Sequence, residues 1–383
     1  MTSIEILPVS ERPPHFPCDR SDQEPNFDPA VHLKLTNPSS VTTLDFHEIS
    51  VEQVPKVSGS DTSQVAVTSA FSVLSDAGVR AIRKVIANHG DLESSNKRIH
   101  RCIRGMAYSS DFVRKFNECP QLLEHLSRLA GMPLVPHYMH ASYSHTNLSS
   151  EPSAQKVVDS WHVDSCPFVL VVVCSDLEDM QGGVLQAVKR RGREAATALV
   201  EATGNSVGPE DLVEMGYASQ GWGLFMQGSE ILHRVTPVTR SKEPRITVVN
   251  GYMPANAFVP DRTAPGSFLY GIDGRGGFVE APYEFSRGRA FRALKQLESF
   301  VSSSFERDPK VLANKLQLTV DELVYTIEVL RGSRREHLGY LDDNSGATEG
   351  VQHVKDGSDA TTAEEDSDGA EERSEEGQGR EFG

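Results

Sequence analysis

A histidine and an aspartate stand two residues apart in the stretch SWHVDSCPFVLVVVCSDLEDMQGG, residues 160–183. Successive side chains of a strand point to opposite faces, so His162 and Asp164 share one face if a strand begins here. A carboxylate at the head of a buried strand is costly unless it is paired or binds a metal. The triplet by itself leaves two interpretations open: a metal site, or a polar pair that faces water at the end of a strand.

Further polar positions lie downstream in GWGLFMQGSEILHRVTPVTRSKEPRITVVNGYMPAN, residues 221–256. His233 follows an apolar strand and a turn, and Arg245 begins the next strand. Two histidines and one carboxylate are the ligand set of a non-haem Fe(II) facial triad, which leaves positions open for a chelating keto acid and for O2. Arg245 offers a planar, bidentate partner for a distant carboxylate, and Thr247 faces the same way with a hydroxyl donor.

The candidate ligands lie in a strand-rich part of the chain, from about Pro133 to Met253. The run Phe168–Cys174 is rich in valine and predicts a strand that is buried on both faces. Residues 188–221 interrupt this region and include a helical stretch near Arg193–Thr203. A further strand is predicted over Gln64–Phe71, ahead of the region. This pattern predicts a mainly β protein with flanking helices, in the α+β class.

Capping residues predict helices on both sides of the strands. Ser75 is a candidate N-cap for a helix that runs to about Asn88. Pro120 in a first turn and Gly131 after a last turn bracket a second helix, which has leucines along one face. Two more helices are expected near the C-terminus, namely Tyr283–Phe305 and one that runs from a capping box at Thr319 and Glu322 to about Arg331.

Charge and composition narrow the class of protein. The chain has 383 residues and a formal net charge of −16, but residues 341–383 alone hold 14 acidic and three basic residues. We expect this acidic tail to be disordered, because it has almost no apolar residues to bury. Prolines near the N-terminus predict an extended arm over residues 1–65, which leaves residues 66–335 as the main domain with its C-terminal helices. The body has no basic stripe, which argues against nucleic acid as a partner.

Targeting signals and cysteines indicate a compartment. No apolar run approaches the length of a membrane-spanning helix, and the N-terminus lacks the pattern of a signal peptide. The final residues, Arg-Glu-Phe-Gly, are not a peroxisomal address. The five cysteines are odd in number and form no Cys-x-x-Cys pair, which is typical of a reducing setting. We therefore expect a cytoplasmic protein with no membrane partner, and the sequence leaves the oligomeric state open.

Taken together, the motifs resemble those of the non-haem Fe(II)/2-oxoglutarate-dependent oxygenases, a family with a double-stranded β-helix (jelly-roll) core. The matching segments are WHVD, QGGVLQ, MQGSEILHRVTPV and RITVVNGY, with weaker matches at IRGMAYSSDFV and CPQLLEHLSRLAGMPLVPH. The resemblance covers roughly residues 70–260. It is nearest to the phytanoyl-CoA hydroxylase-like branch and its small-molecule relatives.

This resemblance implies a role for each candidate residue. His162, Asp164 and His233 would bind Fe(II), while Arg245 and Thr247 would hold the far carboxylate of 2-oxoglutarate and Asn147 would be a further contact. The implied reaction uses O2 to convert 2-oxoglutarate to succinate and CO2 while a C–H bond of a small molecule is oxidised. An amino acid or an intermediate of specialised metabolism is the expected substrate. Halogenating relatives carry a small residue in place of the carboxylate, so Asp164 favours hydroxylation, desaturation or cyclisation.

Two other functions would use the same residues. A binding or sensing jelly roll would keep the metal without turnover, although the complete triad and the arginine argue against it. A zinc hydrolase would use the same ligands, but it lacks a general base here and leaves Arg245 without a role. The remaining polar residues near the motifs are expected to be hydrogen-bonded or exposed (His137, His140, His145), in the core (Tyr143, Trp161) or in an exposed turn (Arg240). Gly182 and Gly183 fit a close approach of two strands and an ordinary turn equally well.

Overall fold

The computed structural model describes residues 20–95, 98–149, 152, 157–270 and 277–334. The strands in these ranges are β1 Val41–Thr43, β2 Glu48–Ile49, β3 Val65–Thr68, β4 Phe71–Ser72, β5 Glu93–Ser94, β6 Arg101–Ile103, β7 Leu134–Pro136, β8 His145–Leu148, β9 Asp159–His162, β10 Phe168–Val173, β11 Gln181–Gly182, β12 Leu185–Val188, β13 Leu212–Met215, β14 Trp222–Met226, β15 His233–Val235, β16 Val238–Arg240 and β17 Ile246–Pro254. The helices are α1 Pro29–His32, α2 Asp76–Asn88, α3 Asp111–Asn117, α4 Pro120–Ala130, α5 Arg193–Ala202, α6 Gly266–Leu269, α7 Ala281–Val301 and α8 Pro309–Leu330.

Two antiparallel sheets form the core of the described residues. The larger sheet has the order β2-β1-β3-β14-β10-β17-β8-β6-β5, with β4 paired to β14 and β7 to β17, and the smaller sheet has the order β13-β12-β15-β9. Val169 and Leu224 of the larger sheet share one apolar cluster with Leu185 and Met215 of the smaller sheet. The expected fold class, mainly β with flanking helices and a jelly-roll core, is confirmed.

Strand β10 lies in the interior of the larger sheet, between β14 and β17. All six of its residues, Phe168–Val173, are buried. A strand with neighbours on both edges and packing on both faces has no side for polar residues, which explains its unbroken apolar run. The predicted strand at Phe168–Cys174 is therefore correct to within one residue.

Local capping signals give the helix positions well in the first half of the chain. The Ser75 hydroxyl accepts a hydrogen bond from the backbone N–H of Gly78 at 3.0 Å, so α2 begins where predicted. Helix α4 starts with Pro120 and ends before Gly131, which has a left-handed φ of 71°. Both helices bury one apolar face against the larger sheet's cluster.

The last helix begins eleven residues earlier than the capping box indicated, with Asp308 and not Thr319 as its N-cap. Helix α8 starts at Pro309, with the Asp308 carboxylate as the acceptor for the backbone N–H of Lys310 at 2.8 Å. Thr319 is buried inside the helix. Glu322 does not cap a helix, because it accepts hydrogen bonds from two side chains of α7 instead. Helix α7 also differs in extent, since it ends at Val301 and not at Phe305.

Two expectations concern the ends of the chain. Within residues 1–65, the structure shows sheet strands where an extended arm was expected, because β1 pairs with both β2 and β3 of the larger sheet. The predicted strand at Gln64–Phe71 is divided into β3 and β4. Residues 1–19 and the acidic tail, residues 341–383, lie outside the described residues.

None of the helices among the described residues combines the length and the apolar character that crossing a lipid bilayer requires. The four cysteines for which a state is described, Cys102, Cys119, Cys166 and Cys174, are free and buried.

Candidate metal and co-substrate site

The two candidate histidines are brought together by the register of the smaller sheet. Strands β9 and β15 are antiparallel neighbours, and His162 lies directly opposite His233. The centroids of their rings are 4.2 Å apart. Residues that are far apart in sequence thus become a cross-strand pair on one face of the sheet.

The carboxylate of Asp164 completes the cluster from just beyond β9. Its Oδ1 lies 3.5 Å from Nε2 of His162, and its Oδ2 lies 3.5 Å from Nε2 of His233. The backbone N–H of Asp164 donates to the carbonyl of Gly228 at 2.9 Å. A Cβ atom at residue 228 would lie only 2.1 Å from Oδ2 of Asp164, so this position requires glycine.

The chemistry of this donor set fits a divalent transition metal. The Nδ1 atoms of His162 and His233 donate to backbone carbonyls at 2.7 and 2.8 Å, which leaves each Nε2 unprotonated and directed at the shared point. The three potential ligand atoms lie within 4.8 Å of one another. Oδ2 of Asp164 is buried and accepts no hydrogen bond from the described residues. Two imidazoles and one carboxylate on one side of a metal leave positions open, as Fe(II) oxygenases require.

Electrostatics favour the metal-binding forms of His233 and Asp164. Burial, reinforced by His162, lowers the pKa of His233 to about 4. Burial disfavours the charged form of Asp164, but the neighbouring His233 and His162 outweigh it and hold the pKa of Asp164 well below its usual range. At neutral pH His233 is therefore a neutral imidazole and Asp164 an ionised carboxylate.

Arg245 supplies a buried cation in the same part of the protein. The residue is 2% exposed and immediately precedes β17. Its Nη1 donates to the Thr247 hydroxyl at 3.3 Å, and its Nη2 donates no hydrogen bond to the described residues. No carboxylate of the described ranges lies within ion-pair distance of this guanidinium, which is an expensive arrangement unless an anion binds there.

Two neighbours shape the surroundings of Arg245. The guanidinium lies 5.7 Å from the ring centroid of Tyr217, a residue that the sequence motifs did not indicate. A Cβ atom at Gly183 would approach Cδ of Arg245 to 2.8 Å, and Gly183 has a φ of +67°. Of the two interpretations of this glycine, the close approach is the one that the structure supports.

Asn147 and Thr247 are partners in the sheet. They lie opposite each other on β8 and β17, and both are buried. The side-chain N–H of Asn147 donates to Asp159 at 3.4 Å, while its carbonyl oxygen has no hydrogen-bond partner among the described residues. Their role as co-substrate contacts stays a prediction.

Asp159 is a second residue that the motifs did not indicate. Its Oδ1 lies 3.5 Å from Nδ1 of His162 and 3.3 Å from Nε of Arg98. Because the Nδ1 proton of His162 is donated to the Ser160 carbonyl, Asp159 acts on this ring through its negative charge and not through a hydrogen bond. Asp159 is three residues before His162 at the start of β9, and this proximity is the one signal in the sequence that could have indicated it.

The other polar residues lie partly where the sequence predicted: Nε2 of His145 is instead buried without a hydrogen bond from the described residues, and Arg240 ends strand β16 and does not lie in a turn. His137 bonds with the Thr263 hydroxyl at 2.8 Å, and His140 bonds with Glu284 at 2.6 Å, so neither joins the metal cluster. Tyr143 and Trp161 are buried in apolar clusters. The side chain of Arg240 is 59% exposed and lies 3.1 Å from Asp179 at the surface.

Comparison with known proteins identifies the family. The model of the family described as Halogenase D matches residues 44–262, which is more than half of the chain and includes all six candidate site residues. The chain belongs to the Halogenase D family. This membership fits the non-haem Fe(II)/2-oxoglutarate-dependent oxygenases that the motifs resemble, and confirms that recognition. Nothing in the match supports the phytanoyl-CoA hydroxylase branch in particular.

This Halogenase D family member is also similar to solved structures, with low scores. HygX from Streptomyces hygroscopicus, a structure with nickel and 2-oxoglutarate bound, is 14% identical, covers 51% of this chain and 84% of its own, and has a TM-score of 0.34. AviO1 from Streptomyces viridochromogenes Tue57 is 16% identical, covers 51% of this chain and 96% of its own, and has a TM-score of 0.35. No curated protein matches the sequence. The site is therefore interpreted from its own geometry.

Proposed function

We propose that this protein is an Fe(II)- and 2-oxoglutarate-dependent oxygenase that oxidises a C–H bond of a small molecule. The observation that carries the proposal is the buried guanidinium of Arg245, which has no carboxylate partner among the described residues, together with a cluster of two imidazoles and one carboxylate. Asp159 links the two, because its charge acts on Arg245 and it lies 3.5 Å from His162. A keto acid with a distant carboxylate fits both the metal-ligand cluster and Arg245, because its keto acid end chelates a metal and its distant carboxylate pairs with the arginine.

The bound metal would supply the oxidising chemistry, with O2 as oxidant and with 2-oxoglutarate leaving as succinate and CO2. The chain's own residues hold and orient the components. His162, Asp164 and His233 provide one face of the metal site, while Arg245 and Thr247 hold the distant carboxylate of the co-substrate. The Ser160 carbonyl orients the ring of His162 by accepting from its Nδ1, and the carboxylate of Asp159 lies 3.5 Å from the same nitrogen. Asn147, which lies opposite Thr247 on β8, would be a further polar contact.

The presence of a carboxylate at residue 164 helps to decide whether the reaction is halogenation or another oxidation of a C–H bond. Its carboxylate lies 3.5 Å from both histidines and occupies the third ligand position of the cluster. A halide would need that position, so we propose hydroxylation, desaturation or cyclisation even though the family is called Halogenase D. A metal-binding protein without turnover would not need the unpaired Arg245, and a zinc hydrolase would give the same arginine no role.

The test measures metal binding and succinate formation together. Metal-free protein should bind one Fe(II) and should then form succinate from 2-oxoglutarate in air. His162→Ala and His233→Ala should reduce succinate formation to the level of the metal-free protein, while the exposed His47→Ala serves as a matched control and should have no effect. Near-normal succinate formation by either ligand variant would show that the assignment of the triad is wrong.

A further inference from the structure

The two C-terminal helices carry most of the exposed apolar side chains of the described residues. Fifteen large apolar side chains are exposed in the described ranges, and seven of them lie on α8 and four on α7. Soluble monomers rarely collect so much apolar surface in one place, and a patch of this kind marks a surface that another molecule covers. The pattern of these residues indicates which molecule that is.

The exposed residues of α8 follow a heptad pattern. Five of them recur at intervals of four, three, four and three residues, namely Leu316, Val320, Leu323, Ile327 and Leu330. This spacing aligns the five side chains along one stripe of the helix, which we call the seam. Their exposed fractions are 38–48%, so the described part of the chain leaves the whole seam open.

A second stripe of α8 already has its partner within the chain. Thr319, Thr326 and Val329 are buried. On the same side, Glu322 accepts a hydrogen bond from Nε of Arg292 of α7 at 2.6 Å. The seam lies about 100° further round the helix axis, because the helix has 3.6 residues per turn. Since α8 is already ordered against α7, a partner that covers the seam does not have to fold an isolated helix.

The residue types of the seam are those of a parallel pair of identical helices. Val320 and Ile327 occupy the a positions of the heptad, and leucine occupies all three d positions. β-Branched residues at a with leucine at d favour two parallel strands. None of the five seam residues is charged, so each can lie opposite its own copy without like-charge repulsion.

The size of the seam also fits two copies of this chain. Together with Val324 beside them, the seam residues expose roughly 500 Å² per copy, so two copies can bury about 1,000 Å², the size at which specific interfaces begin. The same patch on both copies is sufficient for a closed two-fold dimer, because such an interface is self-complementary.

Other occupants match the seam less well. The acidic tail, residues 341–383, holds 14 acidic and three basic residues and has almost no apolar side chains with which to cover leucines. Helices that lie on membranes have a polar face rich in lysine and arginine. The polar face of α8 instead carries Asp321 and Glu328 with Lys310, and the acidic tail follows it in the sequence.

We propose that α8 is a dimerisation helix and that the seams of two copies of this chain pack against each other in parallel. Each seam residue then lies opposite its own copy, and α7 and α8 of both copies form a group of four helices. This inference is independent of the proposed oxygenase function, because none of the six candidate site residues lies on α7 or α8.

Sedimentation equilibrium of the full chain at micromolar concentrations tests the dimer. The wild-type chain should be dimeric, and the double variant Leu316→Glu with Leu323→Glu should raise the dissociation constant at least about 100-fold, because apolar contacts are lost and like charges face each other. Near-ultraviolet circular dichroism checks that the variant keeps its tertiary fold.

Leu318→Glu is the matched control. Leu318 has the same exposed fraction as Leu316, 40%, but lies about 160° away from it around the same helix. This substitution should leave the dissociation constant unchanged. An equal loss of dimer in Leu318→Glu would overturn the assignment of the seam. A monomeric wild-type chain would overturn the dimer itself, and its cosedimentation with phosphatidylcholine–phosphatidylserine vesicles would then assign the seam to a lipid surface.

Introduced cysteines report the direction of the two helices. Leu316→Cys and Leu330→Cys place a thiol near either end of the seam, in a Cys18→Ser background, since the four described cysteines are buried. In a parallel pair each variant forms a disulfide with its own copy, because equal d positions meet. Disulfides that form only when the two variants are mixed would show antiparallel helices and would overturn the parallel arrangement.

Discussion

At the scale of single residues, the environment of Arg245 is the one that a co-substrate site would need and that a bare metal cluster would not. The guanidinium is buried, its only described side-chain acceptor is the Thr247 hydroxyl, and the aromatic ring of Tyr217 lies against it. Burial lowers the pKa of Arg245, which is the direction expected for a cation that lacks an ionised partner. An incoming carboxylate would supply that partner.

Removal of this guanidinium should weaken the binding of 2-oxoglutarate specifically. Arg245→Ala should cost on the order of 3–5 kcal/mol, or roughly 10²–10³-fold or more in affinity, because a buried carboxylate is left without its partner. Arg245→Lys should lose less, because the charge remains while the planar fork is lost. Isothermal titration with 2-oxoglutarate in the presence of metal and absence of O2 measures both effects.

The control for this series is Arg240→Ala, which changes an exposed arginine five residues earlier. It should leave the affinity for 2-oxoglutarate unchanged, and Fe(II) binding should survive all three substitutions. A large loss in Arg240→Ala with no change in Arg245→Ala would move the anchor to the other arginine.

At the scale of elements, the turn between β11 and β12 makes room for the arginine. Gly182 and Gly183 both have positive φ angles, at 81° and 67°. At Gly182 a Cβ atom would lie 1.9 Å from the carbonyl oxygen of Pro237, whereas at Gly183 it would meet the Arg245 side chain. The first glycine thus permits the pairing of two strands, and the second permits the position of a functional side chain.

Gly183→Ala should therefore weaken 2-oxoglutarate binding more than a strained turn alone explains. The added methyl group would displace Arg245, whose Nε would be 3.0 Å away, and small displacements of a positioning group lose affinity. Gly192→Ala is the matched control, because Gly192 also has a positive φ, of 83°, but has no atom within 4 Å of the added Cβ. Titration with 2-oxoglutarate measures the effect of displacing Arg245, and thermal melting measures the effect of backbone strain on stability. Equal losses of affinity in both variants would contradict a specific contact with Arg245.

At the scale of the whole molecule, two buried histidines outside the site make the fold sensitive to acid. Burial, reinforced by Arg128, lowers the pKa of His125 to about 4, and burial above all lowers the pKa of His137 to about 4. Nδ1 of His137 accepts a hydrogen bond from the backbone N–H of Met139 at 3.1 Å, so protonation would break that bond. The unfolded chain has no such constraint and binds the proton at its usual pKa.

The free energy of unfolding should fall as the pH falls from about 6.5 towards about 4, because the unfolded chain binds more protons in that window. Each histidine contributes up to about 3 kcal/mol to this loss. Urea unfolding of metal-free protein at pH 7 and at pH 4.5 gives the difference. His125→Gln and His137→Gln should each reduce it, whereas the exposed His47→Gln should not. If the double variant shows the same pH dependence as the wild type, the sensitivity resides elsewhere.

Local chemistry was sufficient to predict several elements from the sequence. Three signals depend only on contacts between near neighbours in the sequence, and the structure shows the expected element at each. They are the Ser75 cap, the helix between Pro120 and Gly131, and the valine-rich strand Phe168–Val173. The capping box at Thr319 failed because a local motif competes with contacts from outside the helix. Glu322 pairs with Arg292 of the neighbouring helix, and the helix already starts at Pro309.

By itself, the sequence indicated which side chains could form a metal and co-substrate site, because the residue types of His162, Asp164, Arg245 and Thr247 suit that chemistry and each pair is two residues apart in an extended segment. Only the tertiary structure decided that His233 lies opposite His162, that Asp159 stands behind it, and that Tyr217 and Gly183 surround Arg245. These relations depend on the register between strands and on contacts between distant segments. Such contacts are set by the packing of two whole sheets, which no short stretch of sequence specifies.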